Sequence, residues 1–198
     1  MPYPQLDNVV QEHTTNKGGA LKHDAVSLFV VHYTAGLSFS SSLSWLKNPQ
    51  AKASAHFLIG ANGDLVQLVP LDRVAWHAGV STWKGKPNCN FYSIGIELDN
   101  PGPLAKKPDG SYVTVVGSKP VATEHVFVGA HDNGGPYKAW HTYPETQLSK
   151  LSWLISELRR EFPNVKDVVG HDDIAPGRKF DPGPAFPHSL LCVPIQSA

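Results

Sequence analysis

A nearly continuous run of apolar and β-branched residues, at positions 26–33, constrains the fold of this chain more than any other stretch. A strand with one solvent face alternates apolar with polar residues, whereas this run fits a strand buried on both faces. Thr34-Ala35-Gly36 ends the strand and places His32 near its carboxyl end, the end at which open α/β sheets bind ligands. We therefore expect a central strand with His32 at a ligand-binding edge, although such a histidine is more often a structural residue.

Four further segments are typical of strands in the same sheet. Residues 55–59 and 64–69 flank Asn62-Gly63, and this pair supplies the positive φ that a tight hairpin requires. Residues 93–98 alternate apolar with polar side chains, and residues 165–169 form a short, mostly apolar strand. The pattern predicts a single α/β domain with a central mixed sheet flanked by helices.

The clearest helix is predicted over residues 142–162. Thr142-x-x-Glu145 matches a capping box, in which the hydroxyl accepts from a free amide and the glutamate reaches back. One apolar stripe can face the sheet; it consists of Leu148, Leu151, Ile155, Leu158 and Phe162. Pro163 ends this helix. A shorter helix is expected at residues 40–46 and a last helical turn within residues 184–191.

The balance of charge argues against two classes of partner. The 198 residues carry 17 Lys and Arg against 17 Asp and Glu, so the zero net charge favours neither nucleic acid nor an anionic membrane. Hydrophobic residues at 41% describe a globular chain, and we expect a monomer.

The sequence does not begin with a positively charged and then apolar signal peptide, which argues against signal-directed export unless a leader has been removed. Cys89 and Cys192 form no C-x-x-C pattern, and the sequence leaves their pairing open.

The segment at residues 170–184 carries a candidate metal site. Its prolines and glycines divide it into turns and predict a loop without helix or strand. Such a loop can bring His171 and Asp181 together, and imidazole and carboxylate both suit zinc. Two ligands do not complete a site, so a third must come from elsewhere in the chain. The alternative is a surface loop in which the aspartates act as caps.

Two other places hold residues of chemical interest. Glu97 is a lone carboxylate at the end of a predicted strand, where burial would raise its pKa and suit it to act as a general base. Its alternative is an edge residue paired with a lysine. The loop with Trp76 and His77 next to Gly79 could line a cleft for a sugar or peptide, or Trp76 could simply pack on the sheet.

Residues 100–141 show the weakest pattern. Residues 113–116 and 126–128 could be short strands, and the rest reads as loop. Long ordered loops in compact domains usually cover a binding site, so we expect this region to form one wall of a cleft. It also holds His125, His131 and His141, but no repeating ligand spacing favours a second metal site.

Taken together, these segments resemble the zinc-dependent N-acetylmuramoyl-L-alanine amidases of the amidase-2 superfamily. That group includes AmpD-type amidases, T7-type lysozymes and peptidoglycan recognition proteins. The matching motifs occur in the expected order; they are residues 30–32, 55–59, 75–79, 93–97 and 171–184. The last motif is the most specific, and residues 100–141 depart from the pattern. The resemblance divides the chain into an N-terminal arm, residues 1–25, and a catalytic domain, residues 26–198, with 100–141 resembling an insertion.

The resemblance also implies roles for individual residues. It implies one zinc ion held by His32, His171 and Asp181, with the aspartate matching the AmpD-type branch. It implies that Glu97 and Lys179 are catalytic. Further residues of the same motifs, Trp76, His77 and Arg178, are candidates for the substrate cleft. His56 lies in a family motif but not at a ligand position.

The implied reaction is hydrolysis of the amide bond between N-acetylmuramic acid and L-alanine in peptidoglycan or its fragments. A binding module of the same fold and a zinc peptidase acting on the stem peptide are the alternatives. All three ligand positions are filled, which favours an enzyme over a binding module, and no H-E-x-x-H motif marks the commonest zinc peptidases. Muropeptide recycling in the cytoplasm or release as a phage lysin is favoured over signal-directed export.

Overall fold

The computed structural model describes Leu6 and residues 9–192, without the side chain of Cys192. The strands of the described residues are β1 (Val10–Gln11), β2 (Leu28–Tyr33), β3 (Phe57–Ile59), β4 (Leu65–Gln67), β5 (Thr82–Trp83), β6 (Lys86–Pro87), β7 (Ser93–Leu98), β8 (Leu104–Lys106), β9 (Tyr112–Thr114), β10 (Pro120–Val121), β11 (Val126–Val128), β12 (Ala139–His141) and β13 (Asp167–Gly170). The α-helices are α1 (Phe39–Lys47), α2 (Glu145–Glu161) and α3 (His171–Ile174).

A six-stranded mixed sheet forms the centre of the molecule, in the order β1-β4-β3-β7-β2-β13. Neighbouring strands are parallel except β3 and β4, which form the predicted antiparallel hairpin around Gly63. The predicted mixed α/β fold is therefore confirmed. In the parallel pair β2 and β7, His32 lies directly opposite Glu97. Two residues that the sequence placed at strand ends are thus neighbours on adjacent central strands.

Both faces of β2 are buried, as its composition predicts. Phe29 and Val31 belong to the main core with the apolar stripe of α2, whereas Leu28 and Val30 pack in a second cluster with Ala78 and Tyr92. Because side chains alternate along a strand, His32 lies on the face of Leu28 and Val30, away from α2. This face carries the functional side chains, and the other face supplies the packing that holds the sheet.

Helix α2 confirms the predicted helix, but its start differs. The helix begins at Glu145 with Pro144 at the N-cap and no side-chain cap bond, so the predicted capping box of Thr142 and Glu145 does not form. Proline is well suited to this end of a helix, since the amide that it lacks would have no intrahelical acceptor. The last helical residue is Glu161, and Phe162 is the C-cap directly before Pro163, one residue earlier than the predicted end. Leu154, which the predicted stripe omitted, is also buried.

The segment after β13 is not loop alone. His171–Ile174 forms a single helical turn, which corrects the prediction of a segment without helix. The side chain of Asp173 accepts a 2.7 Å hydrogen bond from the amide of Gly170 at the start of the turn, and Ile174 is buried in the core. Apart from Gly170, which is the N-cap of the turn, the prolines and glycines of the segment follow residue 175, so they leave this turn free to form.

Residues 100–141 fold into two small antiparallel units. β8, β9 and β10 form a three-stranded sheet, and β11 pairs with β12. The strand predicted at 126–128 is confirmed, while the one predicted at 113–116 is β9, which ends at Thr114. Another small hairpin, β5 with β6, lies outside this region.

The first part of the chain is joined to the sheet. Residues 1–5, 7 and 8 lie outside the described residues, but β1 pairs with β4 and Leu21 is buried in the main core. The segment is therefore more than an arm lying over the domain, and the boundary at residue 25 stays a prediction. Cys89 is a buried free thiol. Among the described residues, no helix combines the length and apolar character that crossing a bilayer requires.

Candidate metal centre and active-site cleft

Three side chains converge on one point at the carboxyl end of β2. The Nδ1 atoms of His32 and His171 lie 2.9 Å apart, and each is 2.9 Å from Oδ2 of Asp181. The sheet register explains the meeting, because β13 pairs with β2 so that Gly170 is opposite Val31, and His171 follows at once. All three residues are buried, with at most 6% of their surface exposed.

A chain of hydrogen bonds fixes the tautomer of His32. The Ser93 hydroxyl donates to the carbonyl of Cys89 at 2.6 Å, so its oxygen accepts from Nε2 of His77 at 3.2 Å. Nδ1 of His77 then carries a lone pair and accepts from Nε2 of His32 at 3.0 Å. It follows that Nδ1 of His32 bears no proton and directs its lone pair to the cluster.

His171 is oriented by a shorter route. Its Nε2 lies 3.1 Å from the carbonyl oxygen of Ala78, which can only accept, so Nε2 carries a proton and Nδ1 is the ring nitrogen that faces Asp181. Burial, and after it the proximity of His171, lowers the pKa of His32 to about 4. Burial alone would raise the pKa of Asp181, but its interactions with His171 and His32 hold that pKa well below its usual value. The cluster thus consists of two imidazoles, that of His32 neutral, and a carboxylate.

This donor set fits a metal ion. Lone pairs on three atoms this close repel one another unless a cation lies among them, and two imidazoles with one carboxylate are ligands that zinc accepts. Within the described part of the chain, these are the only three His, Cys, Asp or Glu side chains whose ligand atoms come this close. The structure therefore brings together the three residues that the sequence indicated as ligands.

A cleft of about 370 Å³ opens over the cluster. It contains Glu97 and Lys179, so the implied catalytic residues lie beside the implied ligands. A second, more apolar cavity of about 660 Å³ follows α1 and shares Glu97 and Val116 with the cleft. The two cavities together form an open groove that a substrate larger than a single amide could occupy.

Glu97 is partly buried on β7, and its Oε2 atom is enclosed without a hydrogen-bond partner among the described residues. Burial, followed by the charge of Asp181, raises the pKa of Glu97 to about 8, while Lys179 acts to lower it. β7 is a central strand, so the alternative of an edge residue does not hold. A carboxyl group whose pKa is raised in this way can take up and release protons near neutral pH.

Lys179 lies in the turn after α3, where its amide donates to the carbonyl of Ala175 at 3.0 Å. Within the described residues, Lys179 forms no salt bridge with Asp173, whose carboxylate instead accepts from Gly170. This arrangement argues against a purely structural role for the ammonium group. It leaves the charge of Lys179 available to the cleft.

The three candidate cleft residues differ in their surroundings. Trp76 is 36% exposed and lines the cleft. His77 is buried beneath His32 and serves it as a hydrogen-bond acceptor. Arg178 borders the cleft, but its guanidinium donates to the carbonyls of Ala78 and Val80, which joins the turn after α3 to the loop before β5. His56, which donates to the carbonyl of Arg73 and accepts from Gly95, belongs to the core.

The region at residues 100–141 forms one side of the cleft, as the sequence predicted. It contributes Pro101, Pro103, Val115, Val116 and Tyr137. The sequence did not single out any of these five, nor Tyr33, which also lines the cleft; only the adjacency of Tyr33 to His32 could have indicated it. The three histidines of the region do not come together in one cluster. His125 stacks on His141, while His131 pairs with Asp172.

The structure is an α/β domain with a cluster of side chains able to hold a metal ion, and comparison with known proteins gives its family. The profile of the Amidase 2 family, N-acetylmuramoyl-L-alanine amidase, matches residues 22–184, and the chain belongs to this family. Within the family it is of the AmpD type. It is 36% identical over 136 residues to 1,6-anhydro-N-acetylmuramyl-L-alanine amidase AmpD of Escherichia coli, a match that covers 68% of this chain and 54% of that protein.

A second relative in the same organism resembles more of this chain. N-acetylmuramoyl-L-alanine amidase AmiD of Escherichia coli is 35% identical over 185 residues, which cover 89% of this chain and 56% of that protein. The chain thus spans about half the length of both relatives. The structure of AmiD in complex with the substrate anhydro-N-acetylmuramic acid-L-Ala-D-γ-Glu-L-Lys superposes with a TM-score of 0.63 and 31% identity, covering 96% of this chain and 60% of that one.

Proposed function

We propose that this chain is a zinc-dependent amidase that cleaves the bond between N-acetylmuramic acid and L-alanine in peptidoglycan fragments. The observation that carries the proposal is the meeting of His32, His171 and Asp181 in a cleft that also holds Glu97 and Lys179. The names of the AmpD and AmiD relatives support the choice of bond. The substrate named in the AmiD complex supports a muropeptide.

Zinc is the metal that we assign to the cluster. Three protein ligands, two of them imidazoles, leave one tetrahedral position open, which is typical of catalytic zinc. When bound, zinc supplies Lewis acidity toward the scissile carbonyl and toward a water molecule. The chain's own contribution is to direct the Nδ1 atoms of both histidines toward the ionised carboxylate of Asp181 through the hydrogen bonds that hold their Nε2 atoms.

Glu97 is the proposed general base and acid. Its carboxylate takes the proton of the attacking water and later gives it to the departing amine of L-alanine. The charge of Lys179 favours the ionised form that the first step needs, and a cation in the cluster would favour it further. Because the amine leaves as a poor leaving group, this second transfer is required for the bond to break.

Lys179 is the proposed partner of the developing oxyanion. As the amide carbon becomes tetrahedral, its oxygen gains negative charge, and a positive group held beside it stabilises that state more than the ground state. Lys179 has no salt bridge among the described residues, so it need not break one to act.

The remaining cleft residues are assigned to substrate recognition. Trp76 offers a partly exposed aromatic face to a sugar ring, and the region at residues 100–141 offers an apolar wall. His77 orients His32 by accepting a hydrogen bond from its Nε2. Arg178 fixes the shape of the cleft rim through its hydrogen bonds to the carbonyls of Ala78 and Val80. The net charge of zero gives no reason to assign a nucleic-acid partner, and one chain supplies all three residues of the cluster.

Two other functions remain as alternatives to be tested. A binding module would hold peptidoglycan without cutting it, and a zinc peptidase would cut between amino acids of the stem peptide. A binding module needs neither the raised pKa of Glu97 nor a free lysine beside it. These features therefore favour the amidase over a module that only binds.

A side-by-side digestion tests the proposal. The zinc-loaded protein is incubated with intact sacculi and with a soluble anhydro-muropeptide, and the products are identified by mass spectrometry. We expect free peptides that begin with L-alanine, together with intact glycan or free anhydro-muramic acid. His171→Ala is the control and should release nothing. Cleavage within the peptide would support the peptidase, and binding without products would support the module.

A further inference from the structure

Two residues of the region at 100–141 contact the metal cluster's own helical turn. We propose that His131 and Asn133 are positioning residues that hold α3 so that His171 and Asp181 keep their places as metal ligands. The proposal rests on the metal site of the proposed function. It assigns this region a second role besides forming a wall of the cleft.

The contact between the two segments is buried and directional. His131 Nε2 lies 2.9 Å from Oδ2 of Asp172, and both side chains are 5% exposed. The backbone amide of Asn133 donates to Nδ1 of His131 at 3.0 Å, so Nδ1 is an acceptor and Nε2 carries the proton. His131 therefore donates to Asp172 as a neutral imidazole. The side-chain amide of Asn133 adds a 3.1 Å hydrogen bond to the carbonyl oxygen of Asp172.

Asp172 is connected to both ligands of this segment. It follows His171 directly in α3, and its amide donates a 2.8 Å hydrogen bond to the carbonyl oxygen of Asp181. A shift of Asp172 would therefore move His171 along the chain and Asp181 through the hydrogen bond. The hydrogen bonds from His131 and Asn133 to Asp172 oppose such a shift.

The carboxylate of Asp172 depends on His131. Its other oxygen, Oδ1, is buried without a hydrogen-bond partner among the described residues, and it lies so close over Gly170 that a Cβ added there would be 2.1 Å from it. Asp172 thus has one orientation and one side-chain donor. Without His131, a buried carboxylate would lose that donor and would have to move toward water.

Aromatic contacts extend the same connection toward Asp181. The ring of Phe180, directly before the ligand, meets the ring of His131 edge-on at 5.4 Å between centroids and that of Tyr137 at 5.8 Å. The region at residues 100–141 therefore holds the turn at both ends. Neither His131 nor Asn133 supplies a ligand atom to the cluster, so both act through Asp172 and Phe180.

Zinc affinity of the purified protein tests the proposal. Residues that orient metal ligands typically contribute about 10–100-fold to affinity. We expect His131→Ala to raise the zinc Kd by about that factor, measured by competition with a chromophoric chelator. His131→Gln should retain most of the affinity, because the glutamine side-chain amide can donate from near the position of Nε2. Asn133→Ala should give a smaller loss, since it removes one hydrogen bond to a carbonyl.

His125→Ala is the matched control. It makes the same chemical change in the same region, at an exposed histidine that stacks on His141 and not on the turn. We expect it to bind zinc as the wild type does. Circular dichroism melts of the metal-free proteins separate positioning from simple loss of stability. A lower melting temperature with an unchanged zinc Kd would overturn the proposal.

The remaining outcomes are equally decisive. If His131→Ala fails to fold, the zinc Kd values of His131→Gln and Asn133→Ala decide. A Kd equal to that of the wild type in Asn133→Ala would overturn the proposal. A Kd raised as much in His125→Ala as in Asn133→Ala would also overturn it. Wild-type protein that binds no zinc would overturn the metal site of the proposed function itself. Wild-type protein that binds zinc, with variants that bind it equally well, would overturn only the role of His131 and Asn133.

Discussion

At the scale of single residues, the site shows how neighbours set the protonation state of a side chain. His32 and His171 have the same side chain as His56, yet only the first two direct Nδ1 to the carboxylate of Asp181. Gly95 occupies the Nδ1 lone pair of His56, which removes it from any ligand role. The function of each histidine is therefore decided by the atom on the far side of its ring.

Glu97→Gln tests the proton-transfer role. The amide keeps the shape of the side chain but cannot accept the water's proton, so kcat should fall by about 10²–10⁴. Zinc content should remain at one per chain, because Glu97 is not among the three ligands. Stopped assays on a muropeptide and elemental analysis of the same sample measure both quantities. Wild-type turnover in this variant would remove Glu97 from the mechanism.

Lys179→Met tests the oxyanion role. Methionine keeps an aliphatic stem and removes the charge, so kcat should fall by about 10²–10³ while zinc remains bound and the melting temperature is unchanged. Lys119→Met, a change at an exposed lysine outside the cleft, is the control and should behave as the wild type. If Lys179→Met lost zinc and melted earlier, the lysine would be a structural residue of the turn.

At the scale of secondary-structure elements, the stability of the site depends on packing behind the sheet. Leu151, in α2, is fully buried in the main core with Phe29 and Val31 of β2. Leu151→Ala should lower the free energy of unfolding by about 2–5 kcal/mol, because it leaves a cavity in that core. Urea denaturation measures the change. Ser156→Ala, on the exposed side of the same helix, should stay within about 0.5 kcal/mol of the wild type.

Elements with a strong local pattern were predictable from the sequence. The apolar run of β2, the hairpin of β3 and β4 and the stripe of α2 are each specified by residues within the element. The start of α2 was not, because a capping box and a proline N-cap compete within residues 142–145, and neighbouring structure decides between them. The turn of α3 was masked by the prolines and glycines that follow it.

The site was predictable only as far as its implied ligands and catalytic residues. Spacing and family motifs indicated His32, His171, Asp181, Glu97 and Lys179, and the structure brings these five together. The contact of His131 with Asp172 joins residues 41 positions apart and has no sequence motif, so it required the fold. The same holds for the route from His32 through His77 to Ser93, which depends on the register of β2 and β7.

At the scale of the whole molecule, the region at residues 100–141 has two separate roles: one part forms a wall of the cleft, and another part contacts α3. Val115 and Val116 face the cleft, whereas Val128 lies in β11 away from it. Replacing both cleft valines by serine should raise KM by about tenfold with little change in kcat, because apolar contact with the substrate is lost before the reaction begins. Kinetics on sacculi and on a soluble muropeptide measure the change. If the KM of the variant equalled that of the wild type on both substrates, the apolar wall would not contribute to substrate binding.

Val128→Ser is the control for that experiment. Its side chain is 65% exposed, more than that of either cleft valine, so the substitution repeats the loss of apolar surface without touching the cleft. We expect unchanged kinetics. A rise in KM in the control as large as in the cleft variant would show that the region acts through its stability.

The pairing of β2 with β13 also sets an order of assembly. His32 and Asp181 are 149 positions apart, and no shorter part of the chain contains the donor set. A growing or partly unfolded chain therefore has no metal site until β13 has joined the sheet beside β2. A chain that stops before β13 lacks both His171 and Asp181, so it contains only one of the three donor residues of the cluster.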